Sequence, residues 1–330
     1  MELFSTTPDV VANGSIHNAI ESCDDIVGEG KYCVVEIGNT AGGLPLEIYR
    51  SKTKLMGVSG MNPLGSDQNE IFIYIGDKTQ KVIIEGLNLQ GHSAGQEEIY
   101  GIMVEGKRIR NIAIRNNKIH GFDSDNNAHG IAVYGIGKSK SKGIRDVIIE
   151  GNEVYSMRTG SSESIVVNGN VRRWEIKNND VYDVNNIAIY VDGGHHIQIT
   201  DNVVVNASWG YDIGAENCLT TRHITMTGNR ASESTFGDLL LGGYAETGYR
   251  DDRKNNCNPD SSEDDNEGHG SVSYLTIKNN HFISTDTQLD PVTLQYRTTH
   301  AIVAEPGVTP ENEDGNGSAR GDENAVRTEE

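Results

Sequence analysis

Along most of this chain, apolar and polar positions alternate with a period of two, in short bursts that close on Gly-Asn or Asn-Asn. The bursts run from Asn111 to Asn117, Asp146 to Asn152, Arg173 to Asn179, His196 to Asn202, His223 to Asn229 and Tyr274 to Asn280. Lys81 to Leu87 is an earlier copy with Leu in the Asn slot. The closing Asn recurs after 35, 27, 23, 27 and 51 residues. A period in the twenties made of short strands predicts coils stacked into a solenoid.

A second apolar run precedes each burst, at residues 101–105, 130–134, 164–168, 188–192, 210–214 and 238–242. Each coil therefore carries at least two strands, and alternate side chains point into the core. The inward pairs are Ile102/Val104, Ile131/Val133, Ile165/Val167, Ile189/Val191, Tyr211/Ile213 and Leu239/Leu241. Helical periodicity is absent after the first few dozen residues. The pattern predicts an all-β fold, a right-handed parallel β-helix. The Asn column is read as structural, because Asn tolerates left-handed backbone and its amide bonds turn backbone, so stacked turns make an amide ladder.

Solenoid ends need caps. Ile16, Ala19 and Ile20 share one helical face behind Ser15, a suitable N-cap, which predicts a short amphipathic helix over residues 14–23. Residues 34–37 and 45–48 then open the first coil. Residues 291–294 and 300–304 read as the last strands, which makes 1–304 one elongated domain. Beyond it, 305–330 is a polar, acidic tail, expected as a strap or a disordered segment. Residues 243–270 interrupt the repeat as an acidic insertion, expected as a solvated loop that can wall a binding groove.

Composition narrows the function. The 330 residues carry a formal net charge of −20. That disfavours nucleic acid and anionic membrane surfaces, which bind through cations, and is compatible with divalent cations. The chain has no apolar run long enough to span a membrane. Cys23 and Cys33 flank the cap helix, and Cys218 and Cys257 flank the insertion. Two local disulfides are expected, although three pairings can be drawn. They point to an oxidising, secreted or periplasmic setting, even though the N-terminal residues lack the basic segment and apolar stretch of a signal peptide.

The outward positions of the upstream strands form two columns. One reads Met103, Ala132, Val166, Tyr190, Asp212, Leu240, and its neighbour reads Glu105, Tyr134, Asn168, Asp192, Gly214. They gather Tyr190, Asp192 and Asp212, with Glu216 at the rim, as the candidate catalytic set. Tyr134, Glu163, Asn168, Asn186, His195, Trp209 and Arg222 are the candidate substrate-binding residues around it. Carboxylates stacked at strand spacing repel, so one is held protonated as a general acid or the set recruits a cation. Asp192 with Asp212 or Glu216 suits a glycosidase acid pair. The same three carboxylates suit Ca²⁺, leaving Tyr190 or a His to take a proton beside a neutralised uronate. An acidic protein also exposes acids for solubility alone. No motif for an organic cofactor, Walker loop, nucleophile elbow or zinc site is present.

The Asn-closed repeats, with Ser164-Ile-Val-Val-Asn-Gly-Asn170, Asn185-Asn-Ile-Ala-Ile189 and Tyr211-Asp-Ile-Gly-Ala-Glu216, resemble the secreted right-handed parallel β-helix repeat proteins. That superfamily includes pectate lyases, chondroitinase B, alginate lyases and some glycoside hydrolases. Over residues 14–304 the resemblance implies the fold, and it implies a polysaccharide or oligosaccharide partner, with lyase or hydrolase activity in a groove on the outer face. The alternative is a non-catalytic carbohydrate- or Ca²⁺-binding, adhesin-like solenoid. Pectate-lyase-like members use a Lys or Arg base beside Ca²⁺; the two outward columns contain neither, and Arg222 and Arg297 are the nearby cations.

Overall fold

The computed structural model describes residues 5–66, 70–136, 142–214, 220–241 and 271–283, together with strand backbones at 292–294, 302–304, 311–312 and 326–328. Each coil has three strands, one more than the two visible apolar runs. One coil runs Ile187–Asp192, then Gly194–Thr200, then Val203–Val205. Like strands stack in register into sheets of ten, twelve and eight strands respectively, and every pairing between named strands is parallel. The third strand is short and presents one inward residue in most coils, such as Ile119 or Val204, and two in its longest copies, Val154 with Met157 and Val181 with Val184. The fold is the right-handed parallel β-helix.

The inward pairs predicted for the upstream strands are all fully buried. They join Ile112/Ile114, Val147/Ile149, Trp174/Ile176, Ile197/Ile199 and Ile224/Met226 in one continuous core. At about 25 cal/mol per Å² of apolar surface, this core is the main stabilising term.

The Asn ladder sits at the corner between the twelve- and eight-stranded sheets. Asn117, Asn152, Asn179, Asn202 and Asn229 are 0–1% exposed. Each amide nitrogen donates to the Oδ1 of the next Asn at 2.9–3.0 Å, ending on Asn280. The same Oδ1 accepts a backbone N–H from the coil below, as Asn202 Oδ1 does from Asn179 N at 3.0 Å. Polar corners are thereby buried without orphaned donors. The corner between the ten- and twelve-stranded sheets is made by glycine. At Gly169 (φ 85°) an added Cβ would sit 2.4 Å from the carbonyl oxygen of Gly135.

The N-terminal cap is two short helices, Ile16–Glu21 and Cys23–Val27. Ser15 Oγ accepts from Asn18 N at 3.2 Å, and Ile16, Ala19 and Ile20 are buried, as the helical face predicts. A strand the pattern missed, Val10–Ala12, pairs with Cys33–Ile37. Cys23 and Cys33 form a disulfide. Cys218–Cys257, the insertion at 243–270 and Arg297 lie outside the described residues. Strands Val292–Leu294 and Ile302–Ala304 fall where last strands were expected, and Glu311–Asn312 and Val326–Thr328 of the tail continue the ten- and twelve-stranded sheets. Among the described residues no helix is long and apolar enough to cross a membrane.

Candidate functional site

The register reproduces both outward columns. Val166 pairs with Tyr190 and Tyr190 with Asp212; Tyr134 pairs with Asn168, Asn168 with Asp192 and Asp192 with Gly214. Glu163, Ile187 and Trp209 form the column that opens these strands. Tyr190, Asp192, Asp212, Tyr134, Asn168, Glu163 and Trp209 therefore share the outer face of the ten-stranded sheet. Asn186 lies just before the same strands and donates from Nδ2 to the carbonyl of Gly160 at 3.3 Å. Glu216 lies outside the described residues. His195 and Arg222 belong elsewhere: they pair with each other on the twelve-stranded sheet, across the glycine corner.

The ten-stranded face is closed in. Tyr190, Asp192 and Asp212 are 6%, 0% and 1% exposed. Tyr100, Met103, Ala132, Val166 and Tyr190 form a second apolar cluster on the outside of the coil, with Tyr74, Tyr134 and Ile187 packed against it. Glycines make room for the rings. An added Cβ at Gly214 would lie 3.0 Å from the Tyr190 hydroxyl, so this ring lies across the next strand beside Asp212.

A residue the sequence reading passed over organises this face. His129 is 3% exposed and stacks on Tyr100 at 5.0 Å between centroids. Its Nδ1 donates to the Glu163 carbonyl at 2.8 Å, and its Nε2 accepts from the Tyr134 hydroxyl at 3.2 Å. Both contacts suit the neutral imidazole. Burial drives its pKa down to about 4, against the opposing pull of the Glu163 backbone and of Glu98. Burial likewise pushes the Tyr134 and Tyr100 phenols up, with nearby carboxylates adding to the effect. Glu98 is held low chiefly by its bond from the Tyr100 hydroxyl at 2.7 Å, then by Asn127 at 2.8 Å. Alternation gave no signal for it: His129 lies two positions from inward Ile131 and by period two would point into the core, and only its stacking on Tyr100 beside Tyr134 places it with the outer cluster. Perturbed titratable groups in such a cluster mark functional sites more often than chance.

The twelve-stranded sheet presents a different face. A groove of about 720 Å³ opens on it, lined by Lys81, Asn111, Asp146, Arg173, Glu175, His196, Gln198, His223 and Thr225, with Tyr32 at one end. Lys81, Asn111, Asp146, Arg173, His196, His223 and Tyr274 all have φ between 54° and 60° or, for Arg173, 52°. This left-handed position follows one outward residue with another and so doubles the outward side chains of each strand. Arg173 holds Asp146 through two contacts, at 2.7 and 2.9 Å. These residues open the very bursts that reveal the repeat; reading only the apolar positions of each burst hid them. Among the described residues no group of three or more His, Cys, Asp or Glu is placed to hold a metal ion.

The architecture defines a right-handed parallel β-helix solenoid. No known family profile matches the chain. It is 29% identical over 259 residues to an uncharacterized Bacillus subtilis protein, YwoF, the match covering 61% of this chain and 53% of that protein. The chain thus spans about half the length of this curated relative. Among solved structures it is similar to an alginate lyase from Paenibacillus sp. str. FPU-7, with a TM-score of 0.51 and 9% identity over 98% of this chain and 99% of that one. A polygalacturonase from Erwinia carotovora ssp. carotovora gives a TM-score of 0.47 and 10% identity over all of both chains. At 9% identity the likeness to the alginate lyase is one of fold.

Proposed function

We propose that the protein is a secreted polysaccharide-active enzyme, a lyase or glycoside hydrolase, whose chemistry sits on the outer face of the ten-stranded sheet. The observation that carries this reading is the buried, neutral His129 bonded to the Tyr134 hydroxyl, on the same face as Tyr190, Asp192 and Asp212. A neutral imidazole is a competent general base, and a phenol with a raised pKa is a proton donor. In a lyase, the base would take the proton next to a uronate carboxylate while the phenol protonates the departing glycosidic oxygen. In a hydrolase, Asp192 and Asp212 would act as the carboxylate pair. Half-buried Tyr134, Glu163 and Asn168 line the approach, with Trp209 and Asn186 at the strand starts. Asp192 and Asp212 are hard oxygen donors on adjacent strands and fit Ca²⁺, with Glu216 a third carboxylate close in sequence; bound there, the ion would neutralise a uronate. The disulfide in the cap and the likeness to an alginate lyase support an extracellular setting.

The near-complete burial of Tyr190, Asp192 and Asp212 favours one second reading, a non-catalytic carbohydrate- or Ca²⁺-binding solenoid. Turnover decides between them. The protein is incubated with plant, algal and animal polysaccharides, with and without Ca²⁺, following unsaturated uronate by absorbance and reducing ends in parallel. Rising absorbance identifies a lyase, and reducing ends alone a hydrolase. Asp212→Asn and His129→Gln are expected to lower the rate about 10²- to 10⁴-fold. Silence across the panel, with calcium raising the melting temperature, establishes the binding solenoid instead.

A further inference from the structure

Two left-handed columns climb this solenoid, and they are filled differently. At the ladder corner the positions are Asn116, Gly151, Asn178, Asp201, Gly228 and Asn279, residues that hold a positive φ at little cost. The column that opens the twelve-stranded sheet puts Lys81, Arg173, His196, His223 and Tyr274 at the same backbone geometry. Bulky side chains in that conformation carry strain, and strain that persists in a fold clusters at active sites and ligand clamps. His196, His223 and Tyr274 are exposed, Tyr274 to 51%. Their rings nevertheless form one ordered row, with centroids 5.1 and 4.8 Å apart.

His196 and His223 line the groove, which crosses six adjacent strands, from that of Lys81 to that of His223, or roughly 24 Å at strand spacing. Its floor is the next outward column. Ile83, Ala113 and Ile148 make one half, and Glu175, Gln198 and Thr225 the other. Charge in the lining cancels, Lys81 and Arg173 against Asp146 and Glu175, with histidine counted as neutral. That charge is also committed. Arg173 holds Asp146, Lys177 holds Glu175 at 2.9 Å, and Lys81 donates to the Tyr32 hydroxyl at 2.6 Å. A charged polymer would have to displace these contacts; an uncharged one would not.

We infer that this groove binds an extended, uncharged polysaccharide laid along the solenoid axis. A pyranose ring has apolar C–H faces and a rim of hydroxyls. The isoleucine half of the floor and the ring row suit the faces. Asn111, Glu175, Gln198 and Thr225 supply donors and acceptors for the hydroxyls. One coil advances the solenoid by about the length of one sugar ring in an extended chain, so successive sugars meet equivalent positions on successive coils. Nucleic acid also stacks on rings, but it relies on cationic contacts to phosphate, which the balanced lining lacks. The ten-stranded face takes no part, so the site is independent of the proposed activity.

The test is frontal affinity chromatography of the full chain on immobilised hydroxyethyl cellulose, glucomannan and xyloglucan, with polygalacturonate and single-stranded DNA as charged comparisons. The expected result is retention on at least one uncharged polymer, equal at low and high salt. His196→Asn with His223→Asn is expected to weaken it about tenfold. Asn tolerates the left-handed backbone, so the melting temperature of that pair is expected to hold. Gln198→Ala, on the floor, is expected to weaken retention without touching the ring row. Asp212→Asn is expected to leave retention intact while it lowers turnover, which separates this site from the proposed enzyme. Absence of retention on all three uncharged polymers overturns the proposal. So does equal retention of the asparagine pair and the unaltered protein, and a lower melting temperature with that result makes the ring row structural. Stronger, histidine-dependent retention on polygalacturonate or DNA overturns the assignment to an uncharged glycan.

Discussion

The outer faces of the ten- and twelve-stranded sheets are built on the same coils and meet at the same glycine corner, yet they have opposite character. The ten-stranded face packs phenols, one neutral imidazole and carboxylates into a second apolar layer, and Tyr190, Asp192 and Asp212 are almost fully removed from solvent. The twelve-stranded face doubles its outward side chains through left-handed residues and displays arginines, histidines and an open groove. One regular repeat therefore serves two kinds of chemistry. Burial shifts proton affinities on the first face, while the second keeps its polar side chains open to solvent.

Both faces stand on the Asn ladder, so breaking it is expected to remove the contrast altogether. Asn179 Oδ1 accepts from the backbone and amide nitrogens of Asn152, and its Nδ2 donates to Ile149 and Asn202. Asn179→Ala orphans those buried partners and is expected to cost about 3 kcal/mol, read as a lower denaturant midpoint.

Acid is expected to act on the ten-stranded face through His129. His129 stays neutral in the folded protein down to about pH 4, whereas the unfolded chain takes up the proton near 6.5. The unfolded state binds more protons in that window, so this contribution is complete above pH 6.5 and is lost as pH falls toward 4, at most ~3 kcal/mol. Urea titrations across the window check the slope, and His129→Gln is expected to flatten it.

Tyr134→Phe sharpens the same point with a smaller effect. It removes the donor to Nε2 of His129, which favoured the neutral ring, so the imidazole pKa is expected to rise, visible in the histidine NMR titration. The stability cost is about 1–2 kcal/mol for the buried acceptor left unpaired.

The smallest effect is expected on the open face. Asp146→Ala removes the carboxylate that holds Arg173, a surface pair worth less than about 1 kcal/mol. The melting temperature is expected to move hardly at all, which thermal denaturation checks.

Much of the fold was legible because alternation of period two admits one assignment of inward and outward residues per strand, and a slip of one residue would turn Asp192 into the core and Val191 out of it. The register that aligned Tyr190 with Asp212 followed from that rule, as did the ladder and the cap helix. The third strand was not legible, since one inward residue, or two set three apart as Val154 and Met157 are, makes no period-two signal. His195 and Arg222 were attached to the wrong face because nothing in Asp192-Gly193-Gly194 says how sharply the chain bends there. Both glycines adopt φ near 90°, and that turn carries the following residues onto another sheet.

By itself, then, the sequence determined the solenoid, its core and the columns within each sheet, because those depend on local alternation and repeat length. Tertiary structure alone decided which columns are buried and which are open. It stacked Tyr100 on His129 and set Tyr134 against it, and it aligned four arginines and a histidine from five successive coils on the twelve-stranded sheet, because proximity across coils depends on how each corner turns.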